Sequence, residues 1–584
     1  MTAPKATLIN DPDNLIAELI AGMVSAHPDL LQVEGDTGRA IVAVNGPRDG
    51  KVGIVVGGGS GHEPAFAGYV GRGLADAAPL GNIFASPSPS QIMDAGFAAD
   101  GGAGVLFLYG NYTGDVMNFG MAAEGLAEHG ITARSFVVTD DIASAPADRI
   151  DERRGIAGDF FVFKVAGAAA DLGLPLDAVE DAARRANDAT RTMGVALSAC
   201  TMPQTGLSNF DLPRGEMEIG MGIHGEPGIA RGPAEGADAV ADRLLAPILD
   251  ELALGAGDSV AVLVNGLGST PLMELYLLHR RVAEMLGARG TAIHQSWVGN
   301  YCTSLDMGGA SVTLMRLDDD LRRWLDHPCE TPALRVGQSV APPVAPPRKT
   351  RERAKADGRR RVPRDALKTD GPVTPDMFRA LMEAAAVAIL SDAPRLNRLD
   401  GAIGDGDHGT TMETGWKAIR AVLADRADDA TVSEMCTDMA DAFLQSVGAS
   451  AGPLYASGFA AAGHAVSDRL NLDAAALVAW LDGMRAGIVA RGGAAPGDKT
   501  MVDAWAPAVD AARAALGAGA NWAAIMDAAA NAAATGADAT RDMYSARGRS
   551  KKLGARAVGH ADPGAASAAL MIRAWADAAR GMAV

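Results

Sequence analysis

The sequence predicts a multidomain protein, with an N-terminal α/β domain of two subdomains followed by an all-α domain. Three observations predict it. β-rich runs alternate with helical stretches up to about residue 336, a Pro-rich basic tract follows, and after Gly371 apolar residues recur at helical spacing with no convincing strand. A chain of 584 residues with 48% hydrophobic content exceeds what one core usually serves, so two to four structural units are expected.

In chain order, the clearest strands are Val52 to Val56, Val105 to Tyr109, Ser135 to Val138, Val260 to Asn265 and Ser311 to Met315. Gly-rich turns follow several of them, which is the α/β pattern. From Pro342 to Lys368 the text reads PPVAPPRKTRERAKADGRRRVPRDALK, with almost no apolar residue. It reads as a solvated linker, with a basic strap across acidic domain surfaces as a further role; the alternative, nucleic-acid or membrane binding by its arginines, is disfavoured because the acidic flanking domains would repel a polyanion. The expected boundaries are therefore 1–336, a linker over 337–371, and 372–584. Thr374 is a good N-cap, Pro375 suits the first helical position, and Phe378, Leu381, Met382, Ala385 and Ile389 make one apolar stripe. That helix is expected to stop before Pro394. Similar segments follow near 411–424, 433–446, 454–469, 473–490, 501–516, 521–536 and 564–580.

Composition excludes several functions. A formal net charge of -19 opposes nucleic-acid binding, which needs a basic face. Cys200, Cys302, Cys329 and Cys436 show no metal spacing and read as reduced thiols of a cytoplasmic protein. The first residues lack the basic start and apolar core of a signal peptide, and no apolar run is long enough to span a membrane.

The segment from Leu396 to Gly409 carries Asp400, Asp405 and Asp407 among glycines 401, 404, 406 and 409, so a tightly turned loop between two helices is expected. Two carboxylates held about 4 Å apart repel by roughly 4 kcal/mol at an effective dielectric of about 20, so a cluster of three calls for a cation. All-oxygen ligands suit Mg²⁺ or Ca²⁺. An EF-hand starting at Asp405 fails, because Thr410 and Trp416 would fall where glycine and a bidentate acid belong. The better reading is a hard metal bridging nucleotide phosphates.

Familiar nucleotide loops are absent. Asp498 interrupts the nearest Walker-like text, Gly497-Asp498-Lys499-Thr500. Gly220 to Gly225 formally spells GxGxxG, without the surrounding βαβ unit. Two other stretches, Gly448 to Gly452 and His560 to Ala565, have the small residues that free backbone N–H groups for phosphate.

Taken together, the motifs resemble one family closely, the single-chain dihydroxyacetone kinases. The resemblance spans nearly the whole chain and rests on GGGSGHEP (57–64), FASPS (84–88), NYTGDVMNF (111–119), TMGVALSACT (192–201), MGIHGEPG (221–228), VNGLGSTP (264–271) and TSLDMGG (303–309). In the second domain it rests on LNRLDGAIGDGDHG, GDKTMVDAW (497–505) and GHADPGA. It implies a ketose-binding α/β domain and a helical-barrel nucleotide domain. The implied enzyme is an ATP-dependent kinase of a short ketose.

The resemblance also implies roles. His224 matches the histidine that adds to the ketone carbonyl as a hemiaminal, Asp115 a general base near the accepting hydroxyl, and His62 a second histidine on the sugar. Gly59, Ser60 and Gly61 would present backbone to the ligand. Asp400, Asp405 and Asp407 match the aspartates that hold two Mg²⁺ ions on the ATP phosphates. His408, Gly409, Thr410, Thr411, Ala449, Ser450, Gly492, Met501, Arg549, Asp562, Pro563 and Gly564 fall where that family contacts nucleotide. A homodimer with sites shared between subunits is implied.

Two departures stand out. Gly110 replaces a lysine common before NYTGD, which is expected to open the pocket and makes a four-carbon ketose such as erythrulose an alternative to dihydroxyacetone. The string Gly548-Arg549-Ser550-Lys551-Lys552-Leu553-Gly554 replaces an aromatic-containing one. Rival readings are a phosphoprotein-dependent phosphotransferase with bound ADP, and a non-catalytic ketose sensor.

Overall fold

Parallel strands covered on both faces need continuous apolar runs, and Val105–Gly110 supplies one in which every residue is buried. The computed structural model describes residues 7–337, 367–404, 406–424, 430–548 and 557–582. The chain divides into two units, residues 1–354 and 355–584. In the first, seven strands form one sheet: β1 (Leu31–Glu34), β2 (Ala40–Ala43), β3 (Gly53–Val56), β4 (Gly58–Ser60), β5 (Ala77–Ile83), β6 (Val105–Gly110) and β7 (Ala133–Val138). Their order is β1-β2-β5-β3-β6-β7, with β4 beside β5. The strands from β5 to β7 run parallel, while β1 and β2 add an antiparallel edge.

Ile92, Phe107, Phe119 and Leu126 fill one face of this sheet. Leu106, Leu108, Phe160, Phe161 and Phe163 fill the other. The second sheet has six strands: β8 (Thr190–Ser198), β9 (Glu216–Ile219), β10 (Ala230–Pro233), β11 (Ser259–Gly266), β12 (Ala292–Gly299) and β13 (Gly308–Arg316). Their order is β10-β9-β8-β13-β11-β12, antiparallel except for the β11/β12 pair. Helices 237–252 and 272–288 cover one face through Leu244, Ile248 and Leu275. Ala261, Leu263 and Met315 on the other face join the core that holds Phe161, so the two subdomains share apolar packing. The five strands read from sequence are β3, β6, β7, β11 and β13.

The second unit has eight α-helices among the described residues: 375–401, 408–424, 432–446, 451–465, 474–492, 502–517, 522–539 and 563–582. Each packs against the next, and the last returns to the first, which closes a helical barrel. Trp416, Trp480, Trp505 and Trp575 are fully buried at its centre. Thr374 caps the first helix by accepting from the Met377 N–H, with Pro375 at the first position, as expected.

The expected stop before Pro394 is corrected. The helix runs on to Gly401 because Leu396 and Asp400 are buried against the barrel, and packing outweighs one missing backbone hydrogen bond. Asp400 accordingly sits in the last helical turn and not in the loop. Residues 338–366 of the expected linker lie outside the described residues. Its described end belongs to the second unit, since Lys368 bonds to the backbone of Asp468 and Leu470 and Leu367 is buried. Among the described residues, no helix is long and apolar enough to cross a membrane.

Candidate active site

In the first unit the site forms where Gly-rich turns approach one another. At Gly59 a Cβ would lie 2.6 Å from the Ala85 nitrogen, so only glycine lets β4 meet that backbone. Ser60 and Gly61 are engaged by the protein itself. The Ser60 hydroxyl donates to the Gly81 carbonyl at 2.8 Å, and the Gly61 N–H donates to the Glu63 carboxylate. The turn ends at His62, which is 1% exposed and stacks on Phe84 with ring centroids 5.0 Å apart. Phe84 holds this place with φ at 55°, a strained conformation for a bulky residue and one that concentrates at functional sites.

His224 reaches the same point from the loop after β9. Its Nε2 lies 3.1 Å from His62 Nε2, although 162 residues separate the two. The Tyr112 ring stands edge-on to His224 at 4.7 Å. The string MGIHGEPG folds tightly to allow this. A Cβ at Gly222 would lie 2.1 Å from Glu226 Oε2 and 2.3 Å from Arg154 Nη1.

Hydrogen bonding fixes both rings. The Thr303 carbonyl can only accept, so His62 Nδ1 donates to it at 2.8 Å. The Glu226 carboxylate likewise accepts from His224 Nδ1 at 3.1 Å, and its other oxygen accepts from the His224 N–H at 3.0 Å. In neutral rings both Nε2 atoms are then lone pairs facing each other, and one added proton bridges them. Burial, with the His224 charge second, pushes His62 down to about 3. Behind Glu226, Arg154 is 2% exposed, pairs with buried Asp141 at 2.7 Å and donates to the Gly220 carbonyl at 3.0 Å.

Asp115 stands buried in the first turn of helix 113–128, and its charge reaches Asp159 and Tyr109. The room expected at Gly110 is not there. A Cβ on Gly110 would lie 3.0 Å from both the Gly155 carbonyl oxygen and Tyr112 Cε2, so the Tyr112 ring occupies the space.

In the second unit the described residues among those expected to hold metal and nucleotide gather at one end of the barrel. Asp400 Oδ2 accepts from the N–H groups of Asp407 and His408, at 3.0 and 3.2 Å. His408 Nε2 meets Ser567 Oγ at 2.9 Å, and Ser567 donates to the Gly564 carbonyl. Gly409 touches the first helix so closely that a Cβ would lie 1.9 Å from the Ala393 oxygen. Thr410 exchanges two hydrogen bonds with Asn397, and the Thr411 N–H donates to the Asp407 carbonyl.

Asp562 caps the last helix by accepting from Ala565 at 2.7 Å; Pro563 and Gly564 follow, with Met501 about a van der Waals contact from a Cβ at Gly564. Ala449 accepts from Gly452 and Ser450 precedes helix 451–465, while Gly492 faces Leu454 of that helix. Asp405 and Arg549 lie outside the described residues. Among the described residues no three His, Cys, Asp or Glu side chains form a metal group.

The donor set nonetheless fits a hard cation. Burial and then the Asp400 charge push Asp407 up, and Asp562 is held at about 7 by burial, with the Asp400 and Asp503 charges adding to it. Like charges gathered out of water are what a bound cation relieves.

Sequence reasoning missed Glu226, Arg154 and Lys499. Glu226 lay inside the quoted motif. Arg154 carried no local signal, since its partners come from other segments. Lys499 is 1% exposed and donates to the carbonyls of Thr540, Ala557 and His560 at 2.6, 2.9 and 2.7 Å, which pins the turn that leads to Asp562. Lys499→Met leaves three carbonyls without a donor. We expect it to destabilise the second unit by about 3 kcal/mol and raise the KM for ATP with little change in the KM for ketose. Thermal melts and steady-state kinetics check this.

Residues 21–333 match the Dak1 domain and residues 402–577 the DAK2 domain. The chain belongs to the dihydroxyacetone kinase family. Among relatives in this family, it is 39% identical over 582 residues to L-erythrulose 1-kinase of Mycolicibacterium smegmatis, covering 97% of this chain and 98% of that protein. It is 38% identical over 571 residues to D-erythrulose kinase of the same organism, covering 98% of each. The dihydroxyacetone kinase of C. freundii in complex with AMP-PNP and Mg²⁺ matches with a TM-score of 0.52 and 30% identity, over 98% of this chain and 99% of that one.

Proposed function

We propose that this kinase transfers the γ-phosphoryl group of ATP to a terminal hydroxyl of dihydroxyacetone or erythrulose while His224 holds the sugar covalently. The observation that carries it is the facing pair of Nε2 atoms, with both Nδ1 positions held by acceptors. His224 Nε2 adds its lone pair to the ketone carbon. The proton shared between the two Nε2 atoms moves through His62 to the carbonyl oxygen, and Glu226 faces the cation left on the His224 ring. Polyols have no carbon that can be captured in this way, so selection for a ketone is chemical.

Asp115 then accepts the proton of the attacking hydroxyl. Asp400, Asp405 and Asp407 would hold Mg²⁺, two ions on the family resemblance, which neutralises charge on the ATP phosphates. His408 to Thr411, Ala449, Ser450, Gly492, Met501, Arg549 and Asp562 to Gly564 bind the nucleotide. The arrangement 1–336, 337–371 and 372–584 then separates sugar capture from phosphate handling.

Purified protein given ATP, Mg²⁺ and either ketose should release one ADP per ketose phosphorylated, with no protein phosphodonor present. Lack of turnover on both ketoses would overturn the reading. A homodimer that shares sites between subunits predicts complementation. Mixing inactive His224→Ala and Asp407→Ala proteins should restore turnover, and persistent inactivity would count against shared sites.

A further inference from the structure

Gly110 ends β6 beside an acid that the proposed chemistry leaves unused. On Gly155 a Cβ would lie 2.5 Å from the Gly110 Cα and 2.9 Å from Asp159 Oδ1, so this carboxyl lies at the carboxyl end of β6. Asp159 is 3% exposed, and among the described residues its Oδ1 has no hydrogen-bond partner. The loop that presents it is built firmly, since Asp140 accepts from the N–H groups of Ile156 and Gly158 at 2.8 and 2.7 Å. The Tyr112 hydroxyl, on the ring that fills the Gly110 space and stands against His224, is also buried and without a partner among the described residues.

Leaving such groups unpaired is costly, and a ligand that bonds to them relieves that cost. One is an acceptor or, when protonated, a donor; the other can do both. A hydroxyl suits the pair, because it donates to the free Asp159 oxygen and accepts from the phenol. Burial is the main reason that both groups resist ionisation, with the Asp140 and Asp115 charges adding to it at Asp159. This is also the end of parallel strands where ligands of α/β sheets bind.

We propose that Asp159 and Tyr112 form a polar subsite for a hydroxyl beyond the three-carbon frame, so that the chain selects a four-carbon ketose over dihydroxyacetone. The inference rests on the ketose-kinase reading above, and deepens it. His224 takes the carbonyl carbon and Asp115 serves the reacting hydroxyl, which leaves the additional secondary hydroxyl of erythrulose to this subsite. The two residues determine specificity and stand outside the transfer itself.

The test is kcat/KM for D-erythrulose, L-erythrulose and dihydroxyacetone in the full-length protein, in Asp159→Asn and in Tyr112→Phe. Asn keeps the side-chain volume and Phe keeps the ring. The expected result for each variant is a fall of about tenfold in the ratio of the preferred erythrulose to dihydroxyacetone, carried mainly by KM, the effect of one buried hydrogen bond to a substrate hydroxyl. An unchanged ratio, or equal loss on all three ketoses, would overturn the subsite. If Asp159→Asn loses its cooperative thermal transition, Tyr112→Phe decides by the same ratio. Wild-type inactivity on every ketose would instead overturn the kinase reading beneath it.

Discussion

His224→Ala should lower ketose phosphorylation by about 10³-fold or more while leaving ATP affinity unchanged, because the proposed nucleophile lies in one unit and the residues proposed to bind nucleotide lie in the other. The ring packs against His62, Phe84 and Tyr112, so alanine also opens a small cavity. Stability alone therefore cannot diagnose the role, and the adduct must be observed. With a ketose labelled with ¹³C at the carbonyl, the wild-type complex should lose the ketone resonance and gain one from a saturated carbon. His224→Ala should keep the ketone signal, and a saturated-carbon signal in that variant would remove His224 as the point of attachment. Glu226→Gln should weaken the adduct without abolishing it, since Gln still orients the ring but does not balance the charge left on it.

Asp400→Asn should lower kcat by about 10³-fold, the several kcal/mol that a metal ion supplies to a phosphoryl transition state. The same substitution should stabilise the metal-free protein. Asn keeps an oxygen for the N–H groups of Asp407 and His408, while the charge that helps raise Asp407 and Asp562 is gone. The sign with pH follows. A carboxyl raised on folding keeps its proton in the native state longer than in the unfolded chain. Asp562 therefore makes the metal-free protein less stable as pH rises from the ordinary 3.8 through about 7. In Asp400→Asn that loss should shrink, and Mg²⁺ should no longer raise the melting temperature. A variant that lost activity and metal-free stability together would mark Asp400 as a structural residue.

Both predictions can be framed in outline from the sequence, because the motifs carry residue types that the proposed chemistry requires. GIHGEPG and GDGDH place a histidine and acids among glycines, and regular secondary structure has no use for that spacing. Strands of the parallel sheet were readable for a similar reason, since burial on both faces demands an unbroken apolar run such as VLFLY at 105–109. Pro394 misled because its local cost is visible in sequence, whereas the packing of Leu396 and Asp400 that overrides it is not. Gly110 misled in the same way. A missing side chain reads as space, yet Tyr112, two residues on, takes it.

By itself the sequence determined the class of each unit, the presence of the two histidines and the acid cluster, and the family. Those properties are periodic or local, and hydrophobic spacing and short motifs record them directly. Only the tertiary structure decided that His62 and His224 meet through Nε2, that Arg154 stands behind Glu226, and that Asp159 is stranded beside Gly110. Each is a contact between segments far apart in the chain, set by how sheets and loops pack rather than by the residues on either side.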